Sequence, residues 1–170
     1  DELRRIIAFK PVTPKQGYVL DAFVFSCFTG LSFVDVKQLR MRDIRTIGGK
    51  RWIAVFRHKT GCAVDVPLLR IPYYIIMRYS RSDDMPIFNL PSNCWCNQII
   101  HRITTMVGIE RKITLHTARH TFATTCVESN VNIKATQKWL GHSNYNTTAN
   151  IYTHTSEEFE QQELQKLNQN

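Results

Sequence analysis

No apolar stretch in this 170-residue chain approaches the roughly 18 residues of a membrane-spanning helix, and Asp1-Glu2-Leu3-Arg4-Arg5 is no signal peptide. A soluble, cytoplasmic chain without a membrane partner is the expectation. Internal repeats, low-complexity tracts and obvious linkers are missing, which excludes solenoid and array architectures and favours one domain over residues 1–170. Paired cysteines are missing too. The five present are odd in number and mostly sit inside apolar stretches, which fits reduced buried thiols rather than a disulfide framework. Cys94-Trp95-Cys96 with His101 nearby leaves one residue between the cysteines, where structural zinc sites leave roughly two to four. No metal and no other cofactor are expected.

Acidic residues are also scarce. Fourteen Asp and Glu face 22 Lys and Arg, for a net charge of +8. The acids concentrate at one end: residues 156–170 carry four glutamates against Lys166 alone, a local charge of −3, so the first 155 residues hold +11. A domain so basic points to a polyanionic partner, with a merely soluble basic protein as the bland alternative.

With 43% hydrophobic residues the chain has ordinary material for a core, arranged mostly at helical spacing. Thr13-Pro14 opens a largely buried helix that Gly30 closes, and a short helix follows over 33–39 with Val36 and Leu39 facing inward. The period then changes to that of strands. Residues 43–47, the turn Gly48-Gly49, residues 51–57, a second turn at Lys59-Thr60-Gly61 and residues 63–66 predict a three-stranded antiparallel sheet. Helices are expected near 69–80, 94–107, 117–129, 132–140 and 144–151, then a thin amphipathic tail helix after Ser156. The class is mainly α with one small sheet.

Four features stand in order: Lys59 in a hairpin turn, His116-Thr117-Ala118-Arg119, Leu140-Gly141-His142, and Tyr152 ten residues later. Each alone is weak, because a Gly-His pair is commonly a helix cap and a lone Tyr is commonly a core aromatic. Together they supply the parts of a phosphoryl transfer. Tyr152 is a nucleophile able to hold phosphate covalently. Arg119, with His142, is a fixed donor for the charge that gathers on the phosphate oxygens. His116 is a donor or a proton acceptor for Tyr152, and Lys59 is a proton source for the departing 5′ oxygen.

The segment Leu115–Thr124, the run Gln137-Lys138-Trp139-Leu140-Gly141-His142-Ser143 and the run Thr147–Tyr152 resemble the HxxR, LGH and Tyr boxes of the tyrosine recombinases, the phage-integrase family. Thr29-Gly30-Leu31 resembles the start of that family's first box, and Lys59 falls on its hairpin lysine. The resemblance spans about residues 14–155. It implies the tyrosine recombinase catalytic-domain fold and a metal- and ATP-independent site-specific recombinase or integrase of a mobile element. It also implies double-stranded DNA as partner, 3′-phosphotyrosyl links, free 5′ hydroxyls and a Holliday junction. Protomers would be monomeric alone and pair into a tetrameric synapse on DNA. The chain would be the C-terminal part of a longer protein whose N-terminal DNA-binding portion is absent.

Ser32 stands where that family usually has its first catalytic arginine. A serine hydroxyl brings no charge and reaches less far. Three explanations stand open. Another arginine compensates: Arg57, two residues before Lys59 and so on the same face of a strand, or Arg40 or Arg42. The Thr-Gly-Leu-Ser form is a habit of conjugative-transposon integrases, which it resembles. Or the enzyme is dead, against which the filled roles of Lys59, His116, Arg119, His142 and Tyr152 argue. Asp35 resembles the acidic position of the first box and is read as a buried helper for Arg119 or His120, or as a plain exposed carboxylate. Arg40, Arg42, His120 and Lys138 are candidate DNA contacts, His120 being read more as an organiser of its neighbours. Two other readings are a type IB topoisomerase and a non-catalytic regulator using 132–151 as a helix-turn-helix.

Overall fold

The computed structural model describes residues 2–58, 61–80 and 82–153. Lys59, His154 and the tail over 156–170 lie outside the described residues. Eight α-helices are described: α1 Glu2–Ala8, α2 Pro14–Thr29, α3 Phe33–Gln38, α4 Arg70–Tyr79, α5 Asn93–Met106, α6 Leu115–Glu128, α7 Ile133–Leu140 and α8 Tyr145–Thr153. Three strands, β1 Ile44–Ile47, β2 Lys50–Phe56 and β3 Ala63–Pro67, lie between α3 and α4. The mainly helical class with a small antiparallel sheet is the one the sequence predicts.

The centre of the molecule is α2. Thr13 Oγ1 accepts the Gln16 N–H at 3.2 Å while Gln16 Oε1 accepts the Thr13 N–H at 3.3 Å, a reciprocal cap that fixes where the helix starts. Apolar residues then run around most of its circumference, with Val19, Ala22 and Phe25 wholly buried, so neighbours are needed on several sides. α4, α5 and α6 supply them. Gly30 ends the helix at φ +64°, and a Cβ there would sit 2.5 Å from the Phe122 ring. Its bareness lets the end of α2 touch α6.

The sheet runs β1-β2-β3, antiparallel throughout, with Ile53 opposite Ile44 on one side and Val66 on the other. Gly48 and Gly49 both take positive φ (57° and 74°), as a two-residue hairpin turn with matching twist requires. Ile53, Val64 and Val66 face inward, and α7 covers β3. α8 packs on α6 and α7.

Two elements depart from expectation. α1 was not legible locally, because only Ile6 of its seven residues is buried. Distant contacts hold it: Arg5 donates to the carbonyls of Val107 (3.1 Å) and Gly108 (3.3 Å), and Glu2 pairs with Arg111. α6 begins at Leu115 rather than 117, since Thr114 is the cap and Thr117 Oγ1 accepts its N–H at 3.1 Å.

Candidate active site

Arg119 ties together the ends of two helices. Its Nη1 donates to the Gly30 carbonyl at 2.7 Å and its Nη2 to the Leu140 carbonyl at 2.5 Å. Carbonyls at helix C-termini lack intrahelical partners and carry partial negative charge, so they suit a guanidinium. Burial, then the nearby Arg57, pull Arg119 down to about 10, which leaves it charged at neutral pH.

Arg57 lies beside it, 4% exposed. β2 ends at Phe56, so the alternation of a strand does not carry from Arg57 to Lys59; the side chain turns inward instead. Nη1 donates to Asp35 Oδ2 at 3.0 Å and Nη2 to the Trp139 carbonyl at 2.6 Å. Its Nε–H is buried and has no hydrogen-bond partner among the described residues. Gly141 makes room: a Cβ there would lie 2.9 Å from Arg57 Cγ and 3.2 Å from Nε.

Asp35 is buried and hydrogen-bonds Arg57 rather than Arg119 or His120, while its charge also supports the Arg119 guanidinium. Besides Arg57 it accepts the Ser32 hydroxyl at 2.7 Å and the His58 N–H at 3.1 Å. Burial alone would raise its carboxyl; the His58 N–H, Ser32 and Arg57 together hold it below the usual carboxylate range. Ser32 caps α3 and gives its hydroxyl proton to Asp35, so the serine is committed to the arginine's support.

Three histidines complete the wall. His116 and His120, one turn apart on α6, meet Nε2 to Nε2 at 3.0 Å. Partial burial at the cleft wall, then His116 and Arg119, lower His120 below its ordinary value, although the residue as a whole is exposed. His142 Nδ1 lies 3.0 Å from the hydroxyl of buried Thr148. Burial, then Arg119 and Arg57, lower His142 to about 4, so it is neutral at physiological pH and acts as a hydrogen-bonding group rather than a charge. Ser32, Arg57, His116, Arg119, His120 and His142 all line one cleft of about 930 Å³.

Tyr152 does not line it. Its hydroxyl donates to the Val131 carbonyl at 2.6 Å, and with its single proton so used, the Thr136 hydroxyl at 2.7 Å must donate to it. Burial raises its pKa above the ordinary tyrosine value. Thr147, Asn150 and Ile151 of α8 line the cleft instead, and at about 100° per residue Tyr152 lies some 200° round from Asn150. Arg40, Arg42 and Lys138 also lie off the cleft; Arg42 pairs with Asp84 at the surface (2.9 Å). Sequence reading missed Val131, Thr136, Thr148 and the carbonyls of Gly30, Trp139 and Leu140. Only Thr148 left a signal, as a polar residue inside the run that carries Tyr152. A backbone carbonyl leaves none.

Residues 1–158 match the model of the phage integrase family. The chain is similar to the tyrosine recombinase XerD of Staphylococcus epidermidis, 40% identical over 171 residues covering 92% of this chain and 57% of that protein. Among solved structures, XerH site-specific recombinase in a post-cleavage complex with palindromic difH substrate superposes with a TM-score of 0.73 at 20% identity, covering 96% of this chain and 49% of that one. Tn1549 transposon integrase in complex with circular intermediate DNA gives 0.65, also at 20% identity, over 94% and 68%. The chain spans about half the length of the XerD and XerH relatives.

Proposed function

The chain belongs to the phage integrase family, and from that premise we propose that it is the catalytic domain of a site-specific DNA recombinase. In this reading Tyr152 Oη attacks the scissile phosphorus, its proton passes to His116, and the bond to the 5′ oxygen breaks. Lys59 protonates that oxygen, which leaves as a free hydroxyl, and the 3′ phosphate stays on Tyr152. The reverse steps, with a different 5′ hydroxyl as nucleophile, rejoin the strand. One phosphate ester replaces another, so the exchange needs no ATP. Arg119, Arg57 and His142 donate to the non-bridging oxygens as charge gathers there.

The observation that carries this reading is that Arg57 lines one cleft together with Arg119, His116, His120 and His142. In this reading Arg57, lining the cleft beside Arg119, takes the place of the arginine missing at Ser32. Arg40, Arg42 and Lys138 fall to the duplex backbone outside the cleft. Arg42's exposed pair with Asp84 is a weak tie that a phosphate can replace. The helix-turn-helix reading of 132–151 fares worse, because the turn between α7 and α8 is spent on Arg119 and on Thr148.

By the same reading, protomers assemble on two duplexes into a tetramer, acting in the bacterial cytoplasm on nucleoid DNA to integrate or excise a mobile element. The element role rests on the Thr29–Ser32 box and its resemblance to conjugative-transposon integrases. The test is incubation of the full-length protein with a nicked suicide form of its own target. A covalent protein–DNA adduct that disappears in Tyr152→Phe is expected; no adduct from the unaltered protein would sink the reading.

A further inference from the structure

His116 and His120 occupy positions i and i+4 of α6, where side chains share a face. Helical side chains lean toward the N-terminus, which brings the His120 ring down onto His116. The rings stand nearly perpendicular at 88° with centroids 4.6 Å apart, and Nε2 meets Nε2 at 3.0 Å. A contact that short between two ring nitrogens requires one to carry a proton and the other a lone pair. Among the described residues neither ring makes another hydrogen bond. His116 is exposed at the cleft wall. Among the described residues, no other side chain hydrogen-bonds its ring to stop it turning about its side-chain torsions.

We propose that His120 is a positioning residue that acts through His116, holding that ring at the cleft by a single-proton Nε2···Nε2 hydrogen bond. Its value to the cleft is orientation. A displacement of about 1 Å at a reacting group costs up to about a hundredfold in rate, so a free imidazole at that wall is a poor donor or acceptor. The bond also makes one ring the donor and the other the acceptor. This rests on the strand-transfer reading only where rates are concerned, since the hydrogen bond itself exists without DNA.

Two measurements test it. In the ¹⁵N-labelled, DNA-free chain, nitrogen–nitrogen scalar coupling across the imidazole pair is expected; its absence would overturn the proposal whatever the chain does to DNA. In single-turnover cleavage at saturating suicide substrate, His120→Ala should slow adduct formation at least about tenfold, while Kd for DNA moves less than about twofold. His120→Gln, whose amide can partner His116 in the same place, should lose the coupling yet recover to within about threefold of the native rate. A Gln variant as slow as the Ala variant, or an Ala variant whose loss lies in Kd, would overturn it. His120 is exposed, so both variants should melt as the native chain does.

Discussion

Arg57 is held by two partners at its tip, and among the described residues its elbow Nε–H has none. Asp35 and the Trp139 carbonyl take Nη1 and Nη2, and the side chain lines the cleft beside Arg119. Arg57→Ala should slow cleavage by on the order of a hundredfold or more, with DNA binding nearly unchanged, because the lost donor acts on charge that appears only in the transition state. Arg57→Lys should not restore the rate, since an ammonium cannot span Asp35, a carbonyl and a phosphate with a planar fork. Single-turnover rates beside filter-binding constants check this; a Lys variant at native speed would mean that charge alone suffices. His142 yields a prediction of a different kind. Folded, it takes up a proton only below about 4, whereas an ordinary histidine does so near 6.5. Between those values the unfolded chain binds more protons, so stability falls as pH drops from about 6.5 toward 4. His142→Gln removes this source of acid sensitivity, and the gap between its melting temperatures at pH 7 and pH 4.5 should be narrower than the native gap. An unchanged gap would show that His142 is not held neutral.

At the scale of elements, α8 is the piece whose placement matters most. It presents Thr147 and Asn150 to the cleft and docks the Tyr152 hydroxyl on the far side, between Val131 and Thr136. In the strand-transfer reading, attack on phosphate requires the Tyr152 hydroxyl to leave this dock, by movement of the side chain or of α8 or by delivery to a neighbouring protomer. Thr136→Val keeps the shape and removes the donor, weakening the dock by about 0.5–1.5 kcal/mol. Cleavage should then speed up by roughly two- to tenfold where release of Tyr152 limits the rate. A stopped-flow or quench time course of adduct formation decides, and a slower variant would assign Thr136 a part in the chemistry. None of this was legible in the sequence. Elements marked by local signals were: Thr13-Pro14 and Gly30 bound α2, and Gly48-Gly49 turns the hairpin. What local pattern cannot carry is which way a side chain points once a strand has ended. Arg57 was legible as a candidate, but the reason offered, shared strand alternation with Lys59, is not the reason it reaches the cleft. Asp35 was legible as a buried helper of Arg119 or His120, but the arginine it hydrogen-bonds is Arg57, 22 residues away in sequence.

Over the whole molecule, charge is divided unevenly: +11 on residues 1–155 against −3 on residues 156–170. Phosphate contacts release counterions from DNA, and each contributes about −0.9 to the slope of log affinity against log salt. A basic domain carrying its own acidic segment faces competition between that segment and DNA for the same cations. The competition is itself ionic and weakens within a Debye length, about 10 Å at 0.1 M salt. Deleting residues 156–170 should therefore tighten binding to non-specific duplex at low salt and steepen the salt slope, with the two curves converging as salt rises. Titrations of the intact and shortened chains between about 50 and 200 mM salt measure this directly. Parallel curves separated by a constant factor would instead mean that the segment acts by shape, covering or exposing surface independently of its charge. A shortened chain that binds more weakly would mean that the segment supports the folded domain or its self-association, in spite of its four glutamates.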